Sequence, residues 1–77
     1  MKLPAASGKE IIKLLSKQGF QTVRQKGDHI SLVKMVGGEP LLAVVPLEKE
    51  IKKGTLLSIL RQARPSREEF MKLLEEL

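Results

Sequence analysis

The chain has 77 residues, no cysteine, a single histidine and a formal net charge of +5. A chain of this size has room for one small domain, residues 1–77, with a modest core. Without cysteine it has neither a disulfide framework nor a thiolate zinc site to reinforce that core. One imidazole, that of His29, excludes a multi-histidine metal centre and any mechanism that needs two imidazoles in one chain, and nothing resembles the nucleophile elbow of a serine hydrolase.

No metal or other cofactor is expected. No apolar run approaches the ~18–20 residues that cross a bilayer. The opening MKLPAASGKE has no signal-peptide core, so a cytoplasmic protein without membrane contact is expected. The charge is uneven. Residues 1–64 hold twelve Lys and Arg against five Asp and Glu, or +7, while residues 65–77 hold two against four, or −2. A basic body suits a polyanion, either nucleic acid or an acidic protein, although a merely solvated basic surface has the same charge.

In chain order, Ser7-Gly8-Lys9-Glu10 reads as a capping box, S-x-x-E. Ile11, Ile12, Leu14 and Leu15 then follow at helical spacing, Lys9, Lys13 and Lys17 form a basic stripe on another face, and Gly19 stands where a left-handed C′ residue is wanted. The spacing predicts a helix over about 7–18. Three strand-like segments follow: 20–25, 29–35 and 41–45. Lys26-Gly27-Asp28 turns between the first two, and the Gly37-Gly38 stretch turns between the last two. Short connections predict an antiparallel meander. The third segment is the most apolar, and on that ground we expect it in the centre of the sheet, ended by Pro46.

Leu56, Leu57, Ile59, Leu60 and Ala63 predict a second helix that starts near Gly54-Thr55 and is halted by Pro65. Ser66-Arg67-Glu68-Glu69 is a second capping box. It opens a C-terminal helix over about 66–77 with Phe70, Leu73, Leu74 and Leu77 on one face. The expected class is α+β: αβββα with a three-stranded antiparallel sheet, helices on one face and the other face open, plus the C-terminal helix.

Period-two geometry sorts the second strand. Ile30 and Leu32 point one way; His29, Ser31 and Val33 point the other. If Ile30 and Leu32 meet the helices, His29 lies on the open face, where an accessible imidazole suits general acid–base work. Asp28 is the candidate to orient or tune that ring. The plain alternative is an ordinary surface histidine. Lys52, Lys53, Gly54 and Thr55 coincide with a helix start, where free amides and the positive dipole end attract phosphate; the alternative is a solvated, locally capped loop. Arg24 and Lys26, together with Lys34, would frame a groove beside His29, or else form a charged hairpin edge that discourages aggregation. With no Trp or Tyr and only Phe20 and Phe70, a base-stacking single-strand reader is disfavoured.

The words SGKEIIKLLSKQGF, VRQKGDHI and KEIKKGTLLSILRQA, in this order, resemble the HicA-type mRNA interferase toxins of type II toxin–antitoxin systems. The resemblance spans about residues 7–63. It implies a fold like a double-stranded-RNA-binding domain, mRNA cleavage without a known metal, and neutralisation by a HicB-type antitoxin. It also implies a functional histidine at His29 and a basic helix-leading segment at Lys52-Lys53-Gly54-Thr55. Three departures stand out: Asp28 where the family commonly has Ser, Ile30 in place of a second His that many members show, and Leu47-Glu48-Lys49 where many carry a His and a longer Gly-containing loop. The reading is an endoribonuclease toxin. The alternative is a noncatalytic double-stranded-RNA module, or an inactive relative that binds an antitoxin.

Overall fold

A computed structural model describes residues 5–76. The element order is α1 (Gly8–Lys17), β1 (Gln21–Lys26), β2 (His29–Val36), β3 (Glu39–Pro46), α2 (Lys53–Ala63) and α3 (Arg67–Glu76). This is a three-stranded antiparallel sheet with three helices, the αβββα arrangement of a double-stranded-RNA-binding domain plus a C-terminal helix.

The local signals form as read. The Glu10 amide donates to Ser7 Oγ and the Ser7 amide to Glu10 Oε1, each at 3.2 Å. At the other end of α1 the Gly19 amide donates to the Ser16 carbonyl and the Phe20 amide to that of Leu15. With Gly19 at φ +100°, these bonds complete a Schellman motif. The motif turns the chain sharply and seats Phe20 in the core beside Leu15. Gly27 (φ +58°) opens a two-residue turn between Lys26 and His29, and Gly37 and Gly38, both at positive φ, form the turn between Val36 and Glu39.

The strand order is β1-β2-β3, so β2 is central and β3 is an edge strand. This overturns the expectation that the most apolar strand lies in the middle. The two tight hairpins fix the order: β2 is joined on both sides, whereas β3 leaves into a loop. The edge also explains Pro40 and Pro46. The Val36–Glu39 pair closes a two-residue turn, so residues 39, 41, 43 and 45 bond to β2 while 40, 42, 44 and 46 face outward, where no ladder amide is needed.

Ile30 and Leu32 from β2, and Ala43 and Val45 from β3, meet Ile11 and Leu15 of α1, Ile51, and Leu56, Ile59 and Ala63 of α2 in one cluster. At ~25 cal/mol per Å2, fully burying each large aliphatic side chain contributes on the order of 1.5–3 kcal/mol. β1 is exposed along its whole length, because its residues offer the helices little to bury beyond the Phe20 that precedes it. A bulge between Thr22 and Arg24 shifts its pairing by one residue. α1 approaches the end of β3 so closely that a Cβ on Gly8 would lie 2.0 Å from the Pro46 carbonyl oxygen.

α3 begins with its own capping box: the Glu69 amide donates to Ser66 Oγ at 3.1 Å, and the Ser66 amide to Glu69 Oε1 at 2.8 Å. Leu73 is buried, and Phe70 and Leu74 are half-buried. Leu77, expected on the same face, lies outside the described residues. Gln18 Nε2 donates to the Glu69 carbonyl at 2.8 Å and ties α3 to the end of α1.

Candidate functional site

His29 is the first residue of β2 and is exposed. The alternation holds: Ile30 and Leu32 are buried under the helices, so His29, Ser31 and Val33 belong to the open face. Across the sheet His29 is paired with Lys26 on one side and Pro46 on the other, and Arg24 is paired with Ser31. Directly opposed residues share a face. Arg24 and Lys26, both exposed, therefore share the face of His29.

The two-residue turn produces this arrangement: from Lys26–His29 the register runs unbroken to Arg24–Ser31. Beyond it the extra residue, Val23, moves Thr22 to the helix side, opposite Leu32 instead of Val33.

The turn before His29 is anchored by its main chain. The Asp28 carbonyl accepts from the Leu47 amide at 2.6 Å. Further bonds run from the Gly8 amide to the Glu48 carbonyl (2.9 Å) and from the Ile51 amide to the Ala6 carbonyl (2.7 Å). The loop from β3 to α2 is thus stapled to both the hairpin and the start of α1, and Ile51 is buried in the core. Six residues of this loop separate Pro46, the partner of His29, from Lys53, the first residue of α2. Neither the Asp28 carboxylate nor the His29 ring makes a hydrogen bond or ion pair among the described residues.

The three helix starts differ in a way that matters. α1 and α3 have capping boxes and acidic first turns. α2 has neither: its N-cap is Lys52, without a side-chain cap bond, and no acidic residue occupies its first turn. The first amides of α2 and its positive dipole end are thus uncompensated. Lys52, Lys53 and Gly54 are exposed, Thr55 is half-buried, and the space over Gly54 is open to 4 Å. Such a terminus attracts an anion.

Lys34 does not join this group. It lies on the helix side of β2, its Nζ 2.7 Å from Glu69 Oε2 and 5.8 Å from the centre of the Phe20 ring. The expected groove of Arg24, Lys26 and Lys34 beside His29 is therefore corrected to Arg24 and Lys26 alone. Period-two counting from His29 places Lys34 on the opposite face; its basic character masked that. Sequence reasoning also missed Gly8 as the residue that lets α1 close on β3, although a glycine inside the first turn of a strong helix was the available signal. The described residues hold no group of three or more His, Cys, Asp or Glu side chains fit for a metal ion. Among them no helix is long and apolar enough to cross a membrane.

Fold and site define a small α+β domain in which Arg24 and Lys26 share the open sheet face with an exposed imidazole. The chain belongs to the HicA toxin family of bacterial toxin–antitoxin systems: the family profile matches residues 8–64, from the first residue of α1 to the residue that ends α2. Membership implies an antitoxin counterpart. A comparison with curated proteins gives no match.

Proposed function

We propose that this toxin is an mRNA interferase, an endoribonuclease that uses His29 and is restrained by a HicB-type antitoxin. Cutting a phosphodiester requires a proton to leave the nucleophile, a proton to reach the departing oxygen, and an offset for the charge developing on the phosphoryl oxygens. His29 moves one of those protons. A single imidazole does not do both at once, so water, Asp28 or a lysine completes the exchange. Arg24 and Lys26 flank the ring, and Lys52, Lys53 and the amides at Gly54 and Thr55 hold phosphates of the same strand.

One observation supports this reading in a chain of this family: the only imidazole is uncovered and is paired across the sheet with Pro46, from which a six-residue loop leads to an uncapped, lysine-flanked helix start. The test compares wild type with His29→Ala for growth arrest on expression and for cleavage of labelled RNA. Loss of a positioned acid–base group costs about 10²–10⁴-fold in rate. Cleavage should fall by at least about 100-fold while RNA affinity changes little. Undiminished toxicity in the variant removes the mechanism. RNA that is bound by wild type but never cut supports a noncatalytic RNA-binding module instead.

A further inference from the structure

The groove between the outer edge of β3 and α2 lies outside the proposed catalytic end. It has a volume of about 460 Å3, with Glu39, Pro40 and Leu42 on the strand side and Ser58, Arg61 and Arg64 on the helix side. Three features of this groove are unexplained by the fold. First, β3 is an edge, and its outward peptide groups are treated unequally. The Val44 amide donates to Gln62 Oε1 at 3.0 Å, and Pro40 has no amide to offer. Between them the Leu42 amide faces outward by the same alternation, so one peptide unit of the edge is left open. Second, the Leu42 side chain, which opposes Val33 and so lies on the open face beside this edge, is 53% exposed. Third, Arg61 and Arg64 are exposed and make no ion pair among the described residues. Arg64 holds φ +45°, a left-handed conformation that glycine adopts more cheaply.

We infer that this groove docks an extended acidic segment of a protein partner. Its carboxylates engage Arg61 and Arg64, an apolar side chain covers Leu42, and its main chain bonds the open Leu42 peptide. Leu42 and its open peptide decide for a peptide over a nucleic acid. An added strand alternates its side chains, one set toward the arginines and the other over Leu42 on the open face, whereas a phosphate backbone would use the arginines but gains nothing from an exposed leucine or a single edge amide. That the partner is the antitoxin rests on the toxin reading above; the chemistry of the groove does not.

The experiment titrates the 15N-labelled full chain with a synthetic octapeptide of alternating Glu and Val, followed by amide chemical shifts. Shifts should concentrate at Leu42, Val44, Arg61, Gln62 and Arg64. The double variant Arg61→Ala/Arg64→Ala should weaken binding by about tenfold or more, and Leu42→Ser should weaken it as well. The control Lys9→Ala/Lys13→Ala, on the exposed stripe of α1, should bind as wild type does. Absence of binding, or shifts spread over the whole basic surface, overturns the inference. So does a double arginine variant that loses duplex RNA binding while the peptide still binds. A silent groove in a chain that still cuts RNA sinks this inference alone. Peptide bound in the groove by a chain that cuts no RNA upholds it and sinks the nuclease reading.

Discussion

Lys34 Nζ and Glu69 Oε2 lie 2.7 Å apart, joining the central strand to the helix that follows the core of two helices and three strands. Glu69 has three tasks there. Its carboxylate accepts from Lys34 and from the Ser66 amide, and its carbonyl accepts from Gln18. The bond from Lys34, and after it that from the Ser66 amide, hold the Glu69 carboxyl below the ordinary carboxylate range, against a smaller opposing effect of burial.

A carboxyl depressed on folding stabilises the fold above its unfolded-state value of about 4.3, and that contribution is lost as pH falls through the lower folded-state value. Both side chains remain partly in water, at 22% and 29% exposure. Glu69→Gln should therefore cost on the order of 1 kcal/mol at pH 7. Urea denaturation should give a clear gap between variant and wild type at neutral pH and a much smaller one near pH 3.

Two glycines in helix first turns should respond in opposite directions. Gly8→Ala puts a Cβ against the Pro46 carbonyl and forces α1 away from β3, and should cost about 2 kcal/mol or more. Gly54→Ala meets open space and gains helix propensity, and should stabilise by up to about 0.5–1 kcal/mol. Thermal melts of the two variants decide the matter.

RNA affinity should fall with salt, and the slope should report which lysines touch phosphate. Lys52→Ala/Lys53→Ala should reduce the slope of log affinity against log salt by about 1.4–1.8, or 0.7–0.9 per phosphate released. Lys34→Ala should leave that slope unchanged, since its ammonium is engaged with Glu69, and should lower stability instead.

Arg64→Gly should raise the melting temperature. The residue ends α2 at φ +45° and its amide donates to the Leu60 carbonyl, a bond glycine keeps. Relief of the left-handed conformation is worth about 1 kcal/mol. A melting temperature equal to or below that of wild type would contradict the reading of Arg64 as a residue kept against its backbone preference.

Much of this architecture was legible in 77 letters because it is local. Ser7 with Glu10 and Ser66 with Glu69 form their caps from residues three apart. Gly19 closes α1 with its immediate neighbours, and the burial of Ile30 and Leu32 follows from a period of two. The same counting left His29 uncovered, so its place on the open face could be read from the sequence.

The tertiary structure decided what depends on pairing between distant segments. The bulge at Val23 set Thr22 opposite Leu32 on the helix side, because register belongs to two strands jointly and not to either alone. Strand order made the apolar β3 an edge, and its free peptide groups created the groove with α2. Glu69, 35 residues away in the chain, gave Lys34 its partner on the helix side of the sheet. Helix caps and alternation act over a few bonds of chain; register, edges and ion pairs across the fold exist only once the chain has closed on itself.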